Sequence, residues 1–255
     1  MKKIAFLLCV ISLMLASFTA GVEYQRGDVD HNGDVNIADV TCLISYLLKG
    51  NWPDEPQDEH EWVDLGLPSG TLWATCNVGA TTPEECGEYF AWGETEPKDN
   101  YDLSNYKWCN GSENTMTKYC TKSSYGYNGF VDNKTELDPE DDAAYVNWGP
   151  SWRMPTSEQL QEMVDNCTWT WTTQNGVDGQ LVTGPNGNTM FLPAAGSWYA
   201  SLGLVGYWGF YWSLTLCSSS PEDAFRMYFG SITLSWSNDG RHGGFPVRAV
   251  RASQN

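Results

Sequence analysis

Val63-Asp-Leu-Gly-Leu-Pro-Ser-Gly-Thr-Leu-Trp-Ala-Thr75 reads as a β-hairpin, with short apolar runs on either side of Pro68-Ser-Gly70. Proline and glycine supply the backbone angles that a tight turn requires. From Trp62 onward the texture persists: aromatic and β-branched runs broken by Gly, Asn and Pro. Strands are predicted over 168–172, 180–183, 189–192, 207–216, 225–229 and 245–251. Two helices interrupt them. Residues 138–149 open with acids that complement the positive end of a helix and close at Gly149. Residues 156–166 follow Pro155 and begin with a capping box, Thr156 with Gln159. Two helices in a mesh of short strands, with N- and C-terminal strands free to pair, predict an α+β fold with short antiparallel sheets.

Outward from this domain, residues 51–61 (N-W-P-D-E-P-Q-D-E-H-E) are acidic, Pro-rich and aperiodic, the composition of a linker. Residues 28–39 read D-V-D-H-N-G-D-V-N-I-A-D, a twelve-residue calcium loop of EF-hand type. Asp28, Asp30, Asn32, Asn36 and Asp39 offer side-chain oxygens at positions 1, 3, 5, 9 and 12, and Asp34 its backbone carbonyl. Gly33 stands where the loop must turn sharply. An Asp closes the loop where a Glu is usual, so the following helix must approach the ion more closely. That helix places Val40, Leu43, Ile44, Leu47 and Leu48 on one face and ends at Gly50. The loop predicts Ca2+ as cofactor.

The first 21 residues read as an export signal: Lys2-Lys3, an apolar run from Ile4 to Leu15, then Thr19-Ala-Gly21. The run is too short to span a bilayer, so no transmembrane segment is expected. The expected location is secreted or at the cell surface. Loss of the signal removes two lysines from a chain of formal charge −18. Nucleic acid and anionic lipid are therefore poor partners. Cys42, Cys76, Cys86, Cys109, Cys120, Cys167 and Cys217 follow the signal; their odd number leaves at least one unpaired thiol or an intermolecular bridge. Cys109 and Cys120 flank a polar loop that a disulfide could close, and buried reduced thiols are the equal alternative.

The stretch 27–50, through G-D-V-D-H-N-G-D-V-N-I-A-D-V and L-I-S-Y-L-L, resembles a single repeat of a type I dockerin. That resemblance implies a cohesin-like or scaffold partner, although dockerins normally carry two repeats and Ile37-Ala38 stand where Ser-Thr often marks cohesin contact. In the larger domain, V-D-L-G-L-P-S-G-T-L-W-A-T-C-N-V-G-A, A-W-G-E-T, D-D-A-A-Y-V-N-W-G, W-R-M-P-T, L-P-A-A-G, Y-W-S and V-R-A-V-R follow in that order. Together they resemble the Fibrobacter major paralogous domain over residues 62–252. The resemblance implies a C-type-lectin-like fold, similar in architecture to formylglycine-generating enzymes. The domain plan is thus signal 1–21, repeat 22–50, linker 51–61 and lectin-like domain 62–255.

A dockerin-like repeat invites a search for paired catalytic carboxylates. Glu84, Glu85, Glu94, Glu96, Asp141 and Asp142 are the candidates, and each sits beside Pro, Gly or other acids, as surface carboxylates do. Cys217 alone follows Cys167, so no late cysteine pair exists for formylglycine-type chemistry. The thirteen Trp and thirteen Tyr are the remaining signal. Trp73, Trp92, Trp148, Trp152 and Trp212 lie within the motifs that carry the resemblance, which implies that they belong to the core. Gly206-Tyr-Trp-Gly-Phe-Tyr-Trp212 is too dense in rings for one strand face, and Tyr207 and Trp208 are its exposed candidates. Residues 235–242 (S-W-S-N-D-G-R-H) read as a loop, and since lectin-like folds form their ligand face from the corresponding late loops, the resemblance implies that Trp236, Asn238, Asp239 and Arg241 complete one here. These residues favour a non-enzymatic module that binds glycan or protein. The alternatives are a dockerin-borne carbohydrate-active hydrolase and a structural subunit of a surface assembly.

Overall fold

The hairpin forms as its turn residues dictate. Strand β1 (Trp62–Asp64) pairs antiparallel with β2 (Leu72–Ala74), Val63 opposite Trp73. The computed structural model describes residues 60–251 together with Val40 and Thr41. The signal, the calcium loop and residues 51–59 of the linker lie outside the described residues. The chain divides into two units, Met1–Glu59 and His60–Asn255, and residues 60–251 fall in the second.

On its other edge β2 receives β11 (Val250–Arg251), so the first and last strands of the unit share one sheet in the order β1-β2-β11. Ahead of β11 the predicted strand is irregular. Pro246 has no N–H to donate, and its neighbours pair one at a time, Phe245 with Phe90 and Val247 with Val78. A second antiparallel sheet runs β3 (Thr168–Gln174), β4 (Val177–Thr183), β5 (Thr189–Pro193). β6 (Ser197–Trp198) and β7 (Leu202–Gly203) form a small ribbon. A third three-stranded sheet has the order β10-β9-β8, from β8 (Gly209–Leu216), β9 (Asp223–Phe229) and β10 (Leu234–Gly240).

Two α-helices complete the described unit, which is α+β with small antiparallel sheets. Helix α1 (Ala143–Trp148) is shorter than the predicted 138–149, because Pro139–Asp141 winds as a 3-10 turn and Asp142 caps the α-helical part. Its buried carboxylate accepts N–H bonds from Ala144 at 2.9 Å, Tyr145 at 3.2 Å and Met154 at 2.9 Å. Gly149, at φ 90°, stops the helix as expected. Helix α2 (Ser157–Asn166) begins with the predicted reciprocal cap: Gln159 N donates to Thr156 Oγ1 at 3.1 Å and Thr156 N to Gln159 Oε1 at 2.9 Å. Thr156→Ala should therefore cost about 1 kcal/mol of stability, read as a lower urea unfolding midpoint. An unchanged midpoint would mean that packing alone holds this helix start.

Leu160 and Met163 of α2 pack into a core with Leu65, Trp73, Tyr211, Met227 and Phe229. A neighbouring core gathers Trp92, Trp152, Trp212, Phe245 and Val247. Of the tryptophans assigned to packing, Trp73, Trp92, Trp152 and Trp212 are fully buried, and Trp148 is partly buried against the second core.

Candidate functional site

One face of the β8–β10 sheet packs on α2 and the core around Trp73; the opposite face packs partly on the core around Trp92 and carries a partly exposed row of rings. Register explains which residues stand there. Phe210 pairs with Tyr228, Trp212 with Arg226 and Ser237 with Arg226. Side chains alternate across a strand, so these residues share a face, while Tyr211, Met227 and Phe229 point into the core.

The indole of Trp208, just before β8, stacks on Phe210 at 6.3 Å between centroids and 19° between planes. Phe210 in turn stacks on Tyr228 at 6.4 Å and 23°, and Trp208 lies 6.1 Å from Tyr228. All three rings are half-buried. The Arg226 guanidinium covers the inner end of the row, 4.7 Å from the Phe210 centroid and 5.0 Å from that of Tyr228. Its Nε and Nη2 both lie 2.7 Å from Asp239 Oδ2. The other carboxylate oxygen accepts from the Tyr199 hydroxyl at 2.8 Å and from Gly240 N at 2.9 Å. Arginine and aspartate thus cancel each other inside the face. Burial pushes the Tyr199 phenol up, and the Asp239 charge adds to that shift. Burial holds His242, edge-on to Tyr199 at 5.7 Å, below its ordinary value and hence neutral at physiological pH. The Tyr228 hydroxyl bonds no other described residue, and Ser235 stands opposite it on β10. The result is a half-exposed apolar shelf of rings, edged by hydroxyls, whose ion pair neutralises itself.

Three of the six predicted ligand-face residues meet here. Tyr207 is 74 % exposed in the turn that leads into β8, Trp208 begins the ring row, and Asp239 anchors Arg226. The other three do not join them. Residues 235–240 belong to strand β10 rather than to a loop, and strand alternation sends Trp236 and Asn238 to the opposite face. There Trp236, half exposed at the sheet edge, packs on Phe225 at 5.5 Å, and Asn238 bonds Asp223. Arg241 is not a surface anchor at all. It is fully buried, donating to Tyr119 O at 3.1 Å, Pro221 O at 2.8 Å, Lys118 O at 3.0 Å and the Tyr106 hydroxyl at 2.9 Å. A guanidinium has five donors, and these carbonyls need them. Phe210, Tyr228, Arg226 and Tyr199 were missed by sequence reasoning. The alternating ring positions of 208, 210 and 228 were its only available signal.

Five of the six candidate carboxylates have structural occupations, and Glu96 is exposed with no bond to another described residue. Glu84 accepts from Gln174 at 2.6 Å and Asn175 at 2.8 Å, Glu85 from Thr81 N at 2.7 Å, and Glu94 pairs with Lys98 at 2.8 Å. Asp141 is held by Lys118 at 2.6 Å and by the Tyr119 hydroxyl at 2.6 Å. Asp142 is spent on the cap of α1, where burial pushes its carboxyl up. Asp138, Glu140 and Asp141 converge closely enough to hold a cation. Lys118 Nζ already sits among them, at 2.7, 3.6 and 2.6 Å. The six described cysteines are free: Cys109 Sγ donates to Leu103 O and Cys120 Sγ to Lys122 O, each at 3.1 Å, so no disulfide closes that loop. The predicted metal ligands Asp28, Asp30, Asn32, Asp34, Asn36 and Asp39 lie outside the described residues.

No protein-family model, curated protein or solved structure matches the chain.

Proposed function

We propose that this protein is an exported, non-enzymatic binding protein whose lectin-like domain, of the Fibrobacter major paralogous type, holds a neutral saccharide on the Trp208–Phe210–Tyr228 shelf. The observation that carries this reading is the row of half-buried, near-parallel rings beside an ion pair that neutralises itself. Rings left half in water on an otherwise packed sheet retain apolar surface for a ligand. The C–H face of a sugar can lie on them while its hydroxyls reach Tyr228 and the serines of β10. A neutral ligand matches the absence of free charge on the shelf and avoids repulsion by a chain of net charge −18.

A protein ligand is the second reading, favoured by the apolar rim. Leu204, Val205 and Tyr207 are exposed in the preceding turn, and Ile232, at the β9–β10 turn, is 99 % exposed. Such a rim around an aromatic centre fits a protein surface. A glycan array probed with wild type and with Trp208→Ala separates the two. Array signal that vanishes in the variant supports the saccharide. A blank array combined with a Trp208-dependent protein partner favours the second reading.

In this reading the residue 22–50 repeat is a calcium-dependent docking element for a cohesin-like or scaffold protein. Titration of the full chain with Ca2+ should give calorimetric heat for one ion, coordinated by Asp28, Asp30, Asn32, the Asp34 carbonyl, Asn36 and Asp39. In the Asp28→Ala, Asp39→Ala double variant that heat should be lost. Retained heat would move the ion elsewhere, with the Asp138–Asp141 cluster the first place to look.

A further inference from the structure

A cleft of about 340 Å³ shares none of its lining residues with the ring row and has a different chemistry. It is bounded by Glu88 and Tyr89 on one segment, Lys98, Asp99 and Tyr101 on another, and Trp198 of β6. The three rings make one aromatic corner: Tyr89 meets Trp198 edge-on at 5.6 Å, and Tyr101 lies 6.0 Å from the same indole. Both phenols are committed, Tyr89 to Ala195 O and Tyr101 to Tyr89 O. The corner therefore offers ring surface rather than hydroxyl groups.

The charges around it do not balance. Lys98 Nζ is paired with Glu94 at 2.8 Å and also bonds Asn105. Glu88 and Asp99 have no ion pair among the described residues. The cleft wall is thus an aromatic corner with two uncompensated carboxylates. Burial pushes the Tyr101 phenol up to about 12; the Lys98 backbone N–H bond offsets part of that rise, and the charges of Glu94, Glu88 and Asp99 add to it. Lys98 Nζ lies 5.5 Å from the Tyr101 centroid, so a cation already rests against this aromatic wall.

We propose that this cleft binds a guanidinium-bearing side chain, the arginine of a peptide or protein partner, between the aromatic corner and the Glu88 and Asp99 carboxylates. A planar, weakly hydrated guanidinium stacks on rings and pairs with carboxylates more readily than an ammonium does. The volume is within the range of small-ligand sites. The net negative charge of the chain draws such a group toward the cleft.

The test uses the full chain and two small probes, N-acetyl-arginine amide and its neutral isostere N-acetyl-citrulline amide, titrated calorimetrically or by chemical-shift perturbation. The arginine probe should bind in the millimolar range, weaken with added salt, and perturb the Trp198 indole N–H resonance. The citrulline probe should bind at least tenfold more weakly. Glu88→Gln with Asp99→Asn should reduce arginine binding at least tenfold, and a melting curve confirms that this surface variant is folded. Trp208→Ala should leave arginine binding unchanged, which makes the result independent of the saccharide shelf. Equal binding of the two probes, full binding by the double carboxamide variant, or no perturbation of Trp198 at saturating probe would overturn the proposal.

Discussion

Arg241→Ala should lower the stability of the domain by on the order of 3–5 kcal/mol. The guanidinium is buried and is the hydrogen-bond partner of three backbone carbonyls, those of Lys118, Tyr119 and Pro221. Its Nε holds the Tyr106 hydroxyl, which itself donates to Trp92 O at 2.7 Å. The cation also lies 4.9 Å from the Trp92 centroid. Truncation leaves these acceptors in a dry interior and opens a cavity beside Trp92, two penalties that add. Arg241→Lys should recover little, because a single ammonium cannot reach carbonyls on both the 118–119 and 221 segments. Urea unfolding of the three proteins tests this. A lysine variant as stable as wild type would reduce Arg241 to a point charge, and a silent alanine variant would show that the segments it bridges hold without it.

The second large effect contrasts two tryptophans. Trp73 is fully buried on β2, the central strand between β1 and β11, and sits in one core with Leu65, Tyr211 and Phe229. Its indole N–H has no acceptor among the described residues, so its contribution there is packing. Trp73→Ala should cost about 3–5 kcal/mol, a large share of the roughly 5–15 kcal/mol that ordinarily holds a domain folded. Trp208 is half-buried, and its ring contacts are with the outer rings Phe210 and Tyr228. Trp208→Ala should lower the melting temperature by only a few degrees, yet weaken binding by at least about 2 kcal/mol, or roughly 30-fold, as loss of an aromatic anchor does. Melting curves and binding isotherms on both variants decide it. A Trp208 variant that melts early while retaining affinity would return that residue to the core and remove the shelf from the binding argument.

Features fixed by neighbours in the chain were legible. The Thr156–Gln159 cap, the Pro68–Gly70 turn and the stop at Gly149 follow from interactions spanning a few residues, whereas the core assignment of Trp73, Trp92, Trp152 and Trp212 rests on their place in the motifs that carry the family resemblance. The conflict of seven residues at 206–212 carrying five rings also pointed to a surface, and Tyr207 and Trp208 do meet solvent. What composition and spacing could not decide was partnership. Residues 235–240 have the polar, glycine-flanked composition of a loop. They form a strand because β9 supplies a pairing edge, and that pairing sends Asp239 to one face and Trp236 and Asn238 to the other. Arg241 carries the residue type of a binding anchor. It is buried because carbonyls from positions 118, 119 and 221, distant in sequence, converge on it. The acidic aromatic cleft likewise draws on segments around 88, 98 and 198. Sequence by itself determined the local turns, caps and apolar residues of this protein, because those depend on short-range sterics and hydrophobicity. Only the tertiary structure decided which face each polar side chain serves, because strand register and long-range closure set that choice.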